Sequence, residues 1–386
     1  MGTNLAKMVI CGATGINNSG DEAILDVLLH QLNMQYDISV ICLDPNKASN
    51  YHPDISFISI NNSSDCKQAI TACDIFILGG GGLFQDETSI FNIIRWYSML
   101  NMAIKADKHT MVYANSIGPL HYKLSRTLVR KILNQVDAIT LRDTASCDLL
   151  MSIGVRAPMH VTADPVFSYT FYDSKLPDVA TNLPNKYVAI AIRHWYDSIP
   201  FIPVKISNKL HLKNKHHDHY IRSLREIVSY TNQELHLPVV FLSFLSDRDL
   251  AVAKEVLNTQ ELLDSNIVID GTHRQLLPRE MFPIIQNAQY LIGMRLHSLI
   301  YAMDVSTPFI AIDYSSKVRG LLKDVQLEAY SIPVDELSVD TYKDAYQKMI
   351  NNSVSIVRNM KFQVSRMQES ESMNMVILIN NVSKKA

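Results

Sequence analysis

The sequence predicts an α/β chain of two tandem domains, each built around a mostly parallel sheet. Short apolar runs alternate with longer helical patterns through the first half, which is how βαβ units with strands buried on both faces read. A turn-rich stretch, Phe171 to Lys186, carries Asp173, Pro177, Asp178, Asn182 and Pro184 and reads as a linker. After it the alternation restarts, and a second parallel sheet is the simplest account. The 386 residues suffice for two domains of ordinary size.

In the first domain, placed at residues 1–175, Met8-Val-Ile-Cys11 is a buried strand that stops at Gly12. Ser39 to Leu43 and Ile55 to Ile60 follow as the next two strands. Asp74-Ile-Phe-Ile-Leu78 runs into four glycines, and Thr110 to Ala114 and Ala138 to Leu141 complete the set. Helical patterns lie between them at Asp21–Leu32, Thr88–Lys105, Leu124–Asn134 and Thr144–Ile153. The second domain, placed at residues 186–345, has strands at Tyr187–Ile192, Val239–Leu245, Ile267–Ile269, Tyr290–Ile292 and Phe309–Ile312. Its helices fit Tyr220–Gln233, Asp247–Leu257, Arg279–Asn287 and His297–Met303. From Thr341 the chain is helical and polar apart from Met373 to Ile379, and residues 346–386 form a helical tail expected to pack back on the first domain.

Composition bounds the function. Hydrophobic residues make up 47% and charged residues 19%, a globular balance with cores in both domains. A formal net charge of -2 gives no overall field for nucleic acid. No secretory leader is expected at the polar Met1 to Lys7, and no stretch approaches the roughly 18 apolar residues of a membrane span. The five cysteines, Cys11, Cys42, Cys66, Cys73 and Cys147, show no C-x-x-C spacing. Free buried thiols of a cytoplasmic protein are the expectation.

Two such sheets in tandem leave a cleft at the carboxyl ends of their strands, where ligands bind in these folds. Chemistry-bearing residues gather at those strand ends. Gly12-Ala-Thr-Gly15-Ile-Asn17-Asn18-Ser19-Gly20-Asp21-Glu22 follows a strand and opens a helix, as an anion loop would. It is neither a G-x-G-x-x-G nor a P-loop sequence. Ser19 and Glu22 fit a capping box, and Asn18 is the expected polar contact. Gly79-Gly80-Gly81-Gly82 precedes Gln85 and Asp86; glycines there let a ligand touch the main chain, and amides of Gly81 and Gly82 suit an anion.

Ala114-Asn115-Ser116-Ile117-Gly118-Pro119 ends the next strand, and Arg142 ends the one after. Arg142 is either an anion clamp or half of an ion pair with Asp143 or another acid. Asp164, before Pro165, is either a turn residue or a cleft residue. In the second domain Arg193 and Trp195 end the first strand, where a guanidinium and an aromatic can meet a sugar. The strongest signal is Gly293-Met-Arg295-Leu-His297-Ser298, where an apolar strand meets an apolar helix and charges need partners. Lys317, past the strand Phe309 to Ile312, is a point charge suited to phosphate. The insertion Ser198 to His219, with His211, His216, His217 and His219 among lysines, reads as a loop at the cleft mouth rather than a metal site.

Together these motifs resemble the polysaccharide pyruvyl transferase family, most closely its CsaB-type members. The resemblance rests on Asn18-Ser-Gly-Asp-Glu-Ala-Ile-Leu25, Gly79 to Asp86 with Thr88-Ser89, Ser116-Ile-Gly-Pro119, Leu141-Arg-Asp143, Ala163-Asp-Pro-Val-Phe167, Gly293-Met-Arg-Leu-His297, and Tyr314 with Lys317-Val318. The ordered set spans about residues 10 to 320. There are departures: Ala13, Thr14 and Ile16 replace aromatic residues of the first glycine loop, Asn115-Ser116 replaces a Gln-Gly pair, and Ser315-Ser316-Lys317 stands where Asp-Pro-Lys is common.

The resemblance implies two Rossmann-like domains facing a cleft, as in the GT-B type of glycosyltransferase. It implies transfer of the enolpyruvyl unit of phosphoenolpyruvate to a sugar, as a cyclic ketal, with release of phosphate. CsaB-type members act on N-acetylmannosamine of a lipid-linked precursor of a bacterial secondary cell-wall polymer that anchors S-layer proteins. The donor is expected on Arg142, Arg295, His297 and Lys317, with Asn18, Gly81 and Gly82. The acceptor is expected on Gln85, Asp86, Asp164, Arg193 and Trp195. His297 is the acid–base candidate, because imidazole titrates near neutral pH. No step requires a cofactor or a metal. A lipid-linked acceptor would bring the protein to the inner membrane surface, with His211 to His219 as a contact. A nucleotide-sugar glycosyltransferase shares the architecture and is the competing reading.

Overall fold

The apolar runs pair edge to edge and all in parallel. The computed structural model describes residues 5–32, 35–87, 89–195, 215–269 and 276–383. By their contacts, residues up to Thr170 together with those from Ser365 onward form one unit, and Phe171–Val364 form another.

In the first unit the strands are β1 (Ala6–Cys11), β2 (Tyr36–Cys42), β3 (Ser56–Ser59), β4 (Ile75–Leu78), β5 (His109–Asn115), β6 (Ala138–Leu141) and β7 (Met159–Val161), in the order β3-β2-β1-β4-β5-β6-β7. The helices are α1 (Ser19–Leu32), α2 (Pro45–Tyr51), α3 (Ser63–Ala72), α4 (Ile90–Lys105), α5 (Lys123–Leu133) and α6 (Thr144–Ser152). Every residue of β4 and β6 is buried. Phe76, Leu78, Val112 and Leu141 share one core with Ile93, Trp96 and Leu100 of α4 and with Val129 and Ile132 of α5. Packing on both faces is why these strands read as unbroken apolar runs.

The second unit repeats the pattern with β8 (Val188–Ala191), β9 (Val239–Leu242), β10 (Ile267–Ile269), β11 (Tyr290–Gly293), β12 (Phe309–Asp313) and β13 (Ser331–Pro333), in the order β10-β9-β8-β11-β12-β13. Its helices are α7 (Lys215–Gln233), α8 (Ser246–Val256), α9 (Gln260–Ser265), α10 (Pro278–Gln286), α11 (Leu296–Asp304), α12 (Ser316–Asp324) and α13 (Val339–Asn351), and α14 (Ser353–Ser383) runs into the first unit. Both sheets reverse strand order once, between β1 and β4 and between β8 and β11, and such a switch point opens the crevice where ligands settle.

Several elements go beyond the sequence expectation. β7 and β13 are three-residue edge strands, half-exposed and carrying His160 or Pro333, so neither shows a buried apolar run. The expected insertion ends early. Residues 196–214, including His211, lie outside the described residues, whereas His216, His217 and His219 sit on α7 and not in a loop. Thr88, expected to start a helix, is also outside them; α4 begins at Ile90, with the Ser89 hydroxyl accepting the Phe91 amide.

From Ser365 onward α14 is tied to the first unit. Gln368 donates to the Phe167 carbonyl at 2.9 Å, the Thr162 hydroxyl donates to Asn374 at 2.7 Å, and Asn374 donates to the Ala163 carbonyl. Glu371 accepts from the hydroxyls of Ser168 and Tyr113 and from the Gln31 amide, and burial pushes its carboxyl above the usual range. Among the described residues no helix is long and apolar enough to cross a membrane.

Candidate active site

In the second unit three neighbouring strands, β8, β11 and β12, deliver basic and aromatic side chains at their carboxyl ends. β11 pairs with β8 through Ile292 and Ile190 and with β12 through Ile292 and Ile310. The chain turns into α11 straight after β11. Gly293 permits this, since a Cβ there would lie 2.5 Å from the Leu299 side chain. Arg295 is the N-cap of α11, and its carbonyl accepts from the amide and hydroxyl of Ser298. Its guanidinium is gripped at Nε and one terminal nitrogen by both oxygens of Asp249. Asp249 is buried and also accepts the amides of Phe244 and Leu245 at the start of α8. A two-pronged Arg–carboxylate pair fixes direction as well as charge.

His297 is half-buried in the first turn of α11, and Lys317 is half-buried in the first turn of α12. α11 and α12 pack together behind adjacent parallel strands, so their N-termini open at the same edge of the sheet. The partial positive charge of two helix starts adds to Arg295 and Lys317 there. Arg193, past β8, lies 4.5 Å over the ring of Tyr314, past β12. Trp195 meets the buried Tyr220 edge-on at 5.7 Å, and the Tyr220 hydroxyl donates to the Arg193 carbonyl. The structure thus brings Arg193, Trp195, Arg295, His297 and Lys317 to one edge of one sheet. Asp313 is buried and pairs with Arg319. On α7, His217 is buried against the Glu255 carboxylate and the Trp195 carbonyl, an acidic partner that the sequence did not disclose.

In the first unit Asn18, Gly81, Gly82, Gln85, Asp86, Arg142 and Asp164 lie along the carboxyl edge of the sheet. Asn18 caps α1: its Oδ1 accepts the Gly20 amide and its Nδ2 donates to Asp21 at 2.6 Å. The Glu22 carboxylate reaches back past the helix start and accepts the Gly15 amide at 2.8 Å. Gly81 has a φ of 95°, and a Cβ on it would stand 2.7 Å from the Asp21 carboxylate. Asp86 accepts the amides of His121 and Tyr122. Burial alone would raise its pKa, but these bonds and the Ser125 hydroxyl outweigh it and hold the carboxyl below its usual value.

Arg142 finds its acid in Asp164 at 2.5 Å. Asp143 instead caps α6 by accepting the Ser146 amide and hydroxyl. The second Asp164 oxygen accepts the Val166 amide and starts a single 3-10 turn, so that carboxylate is shared between a cation and the backbone. Asn115 is fully buried and donates to the carbonyls of Leu78, Gly79 and Tyr113, locking the glycine loop to β5. Glu22 is nearly fully buried beside the loop. Burial, reinforced by Asp21 and Asp26 against the pull of the Gly15 and Ile16 amides, pushes its pKa to about 8. Glu22 and Asp249 are the partners that sequence reasoning missed as site-shaping groups. Glu22 had been absorbed into a capping pattern, and Asp249 lies 46 residues from its arginine.

All five cysteines are free; Cys147 is half-buried and the others are buried. Burial pushes the Cys42 thiol to about 12 and that of Cys73 to about 11, which keeps both protonated and inert. Among the described residues no cluster of three or more His, Cys, Asp and Glu is placed to hold a metal ion.

Two doubly wound parallel sheets define a GT-B-like α/β fold. The chain belongs to the polysaccharide pyruvyl transferase family, whose model matches residues 18–316. It is 20% identical to the amylovoran biosynthesis protein AmsJ of Erwinia amylovora, over 95% of this chain and 96% of that one. Among solved structures it is similar to Anabaena HepE in complex with UDP-glucose, with a TM-score of 0.62 at 10% identity over 97% of this chain and 99% of that one. It is also similar to the UDP-GlcNAc 2-epimerase of Neisseria meningitidis bound to UDP-GlcNAc, with a TM-score of 0.61 at 9% identity over 97% and 100%. These two likenesses concern the fold alone.

Proposed function

We propose that the protein transfers the enolpyruvyl group of phosphoenolpyruvate to a sugar of a bacterial surface polysaccharide, forming a pyruvate ketal and releasing phosphate. The observation that carries this reading is the basic edge of the second sheet, where Arg295, held by Asp249, stands with His297 and Lys317 beside two helix N-termini. The donor carries a carboxylate and a phosphate, and such an edge suits both. Arg142 is kept as a further donor-binding cation, with Asp164 fixing the direction of its guanidinium.

The chemistry balances as follows. The methylene carbon of the donor gains a proton and becomes a methyl group. Two sugar hydroxyls attack the former enol carbon in turn, forming two C–O bonds, and the C–O bond to phosphate breaks. Of the two hydroxyl protons, one replaces that given to carbon and the other leaves on phosphate. His297 is assigned to proton transfer, and Arg295 and Lys317 to the negative charge on the departing phosphate. Arg193, Trp195, Gln85, Asp86 and Asp164 are assigned to the acceptor. The resemblance offers N-acetylmannosamine of a lipid-linked wall-polymer precursor, as its 4,6-ketal, as the first acceptor to try. The name of AmsJ supports a role in exopolysaccharide synthesis.

Phosphate release should follow mixing with phosphoenolpyruvate and a panel of sugar acceptors, and nucleotide sugars should support no turnover. His297→Ala should abolish release while the melting temperature stays unchanged. Turnover of UDP-glucose in place of phosphoenolpyruvate would overturn the donor, and near-normal turnover of His297→Ala would remove that residue from proton transfer.

A further inference from the structure

The first unit carries an apolar patch that the proposed chemistry does not use. Phe91 is 71% exposed, Tyr122 58%, Leu124 55% and Ile94 42%. Large side chains are rarely left in water together without a surface to meet. They stand at the starts of α4 and α5. These helices follow the parallel neighbours β4 and β5 and pack against each other, so both starts lie at one edge of the sheet. Asp86, which accepts the His121 and Tyr122 amides, ties the start of α5 to the segment leading into α4.

The α5 side of this surface is basic, with Glu87 the exposed acid in the segment leading into α4. α5 contains no Asp or Glu, and Lys123, Arg130 and Lys131 are exposed on it. Seven-residue spacing sets Lys123 with Arg130 and Leu124 with Lys131 on shared stripes of the helix. Core-facing Val129, Ile132 and Leu133 hold the opposite side. The patch is thus an apolar tip that includes Lys123, with Arg130 and Lys131 about two turns further along α5.

We propose that the starts of α4 and α5 form a docking surface for an anionic lipid bilayer. Phe91, Ile94 and Leu124 enter the acyl boundary, Tyr122 sits at headgroup level, and Lys123, Arg130 and Lys131 meet lipid phosphates. A second copy on this patch would set cations against cations. Nucleic acid would satisfy the cations but gives no reward for burying Ile94 and Leu124. The inference is independent of the donor, because docking is read without any substrate.

The test is flotation of the full-length protein with vesicles of phosphatidylglycerol and phosphatidylcholine, against pure phosphatidylcholine. The protein should float with the anionic vesicles at low salt and be released by high salt. Phe91→Ser with Ile94→Ser, and separately Lys123→Glu with Arg130→Glu and Lys131→Glu, should each lower partitioning by about tenfold or more. Both variants should keep the wild-type melting temperature. Wild-type protein that floats no better with anionic than with neutral vesicles, or variants that float like wild type, would overturn the proposal. A wild-type dimer that both variants dissolve would assign the patch to a second copy and also overturn it.

Discussion

Asp249 shows how one residue can decide the use of another. It gives Arg295 a fixed direction and leaves one terminal nitrogen of that guanidinium outside the pair. Asp249→Asn keeps the shape and an oxygen for the Phe244 and Leu245 amides but removes the charge. We expect the donor KM to rise by about tenfold with a smaller fall in kcat, since positioning is lost before chemistry. An unchanged KM in a folded variant would make the pair purely structural. Glu22 gives a second residue-scale prediction. Its pKa in the folded protein, about 8, stands above the ordinary carboxyl value of 4.5. Between those values the native state keeps a proton that the unfolded chain releases, so stability is full below the lower value and declines as pH rises through the upper one. The loss amounts to about 5 kcal/mol. Glu22→Gln can still accept the Gly15 amide and cannot ionise, so melting temperatures measured from pH 5 to pH 9 should lose that decline. An identical pH slope in both proteins would contradict the buried, protonated carboxyl.

At the scale of elements, the contacts of α14 are what the sequence left unspecified. Its polar sequence gave no apolar stripe to place it, yet Gln368, Glu371 and Asn374 meet Phe167, Ser168, Tyr113, Thr162 and Ala163 of the first unit by hydrogen bonds. These are buried polar contacts, which cost about 1–3 kcal/mol each when one partner is removed. Glu371→Ala with Asn374→Ala should therefore lower the melting temperature and raise amide exchange in Phe167 and its neighbours. Unchanged exchange there would mean that the helix does not support the first unit. The edge strands β7 and β13 make the complementary point, because three half-exposed residues broken by His160 or Pro333 are too short to carry a period for a sequence reading to find.

At the scale of the molecule, the central strands of both sheets were legible because burial on two faces demands unbroken apolar runs such as Ile75–Leu78 and Tyr290–Gly293. Glycines and charges just past those runs marked the strand ends, and that is why Gly81, Arg142, Arg295 and Lys317 stood out. Their acids were not legible. Asp164 and Asp249 pair across the fold, where neighbours in sequence, such as Asp143, are the natural guess. The histidines of α7 misled for the opposite reason, since a run of polar residues hid the helix that buries His217. The two sheets share one strand order and one switch point, and the basic edge of the second carries the claim that this family member binds phosphoenolpyruvate. The most direct measurement is the dissociation constant for phosphoenolpyruvate by titration calorimetry, in wild type, Arg295→Ala and Lys317→Ala. The account predicts binding by wild type and a weakening of at least about tenfold, or 1.4 kcal/mol, in each variant. Equal affinity in all three proteins would contradict it.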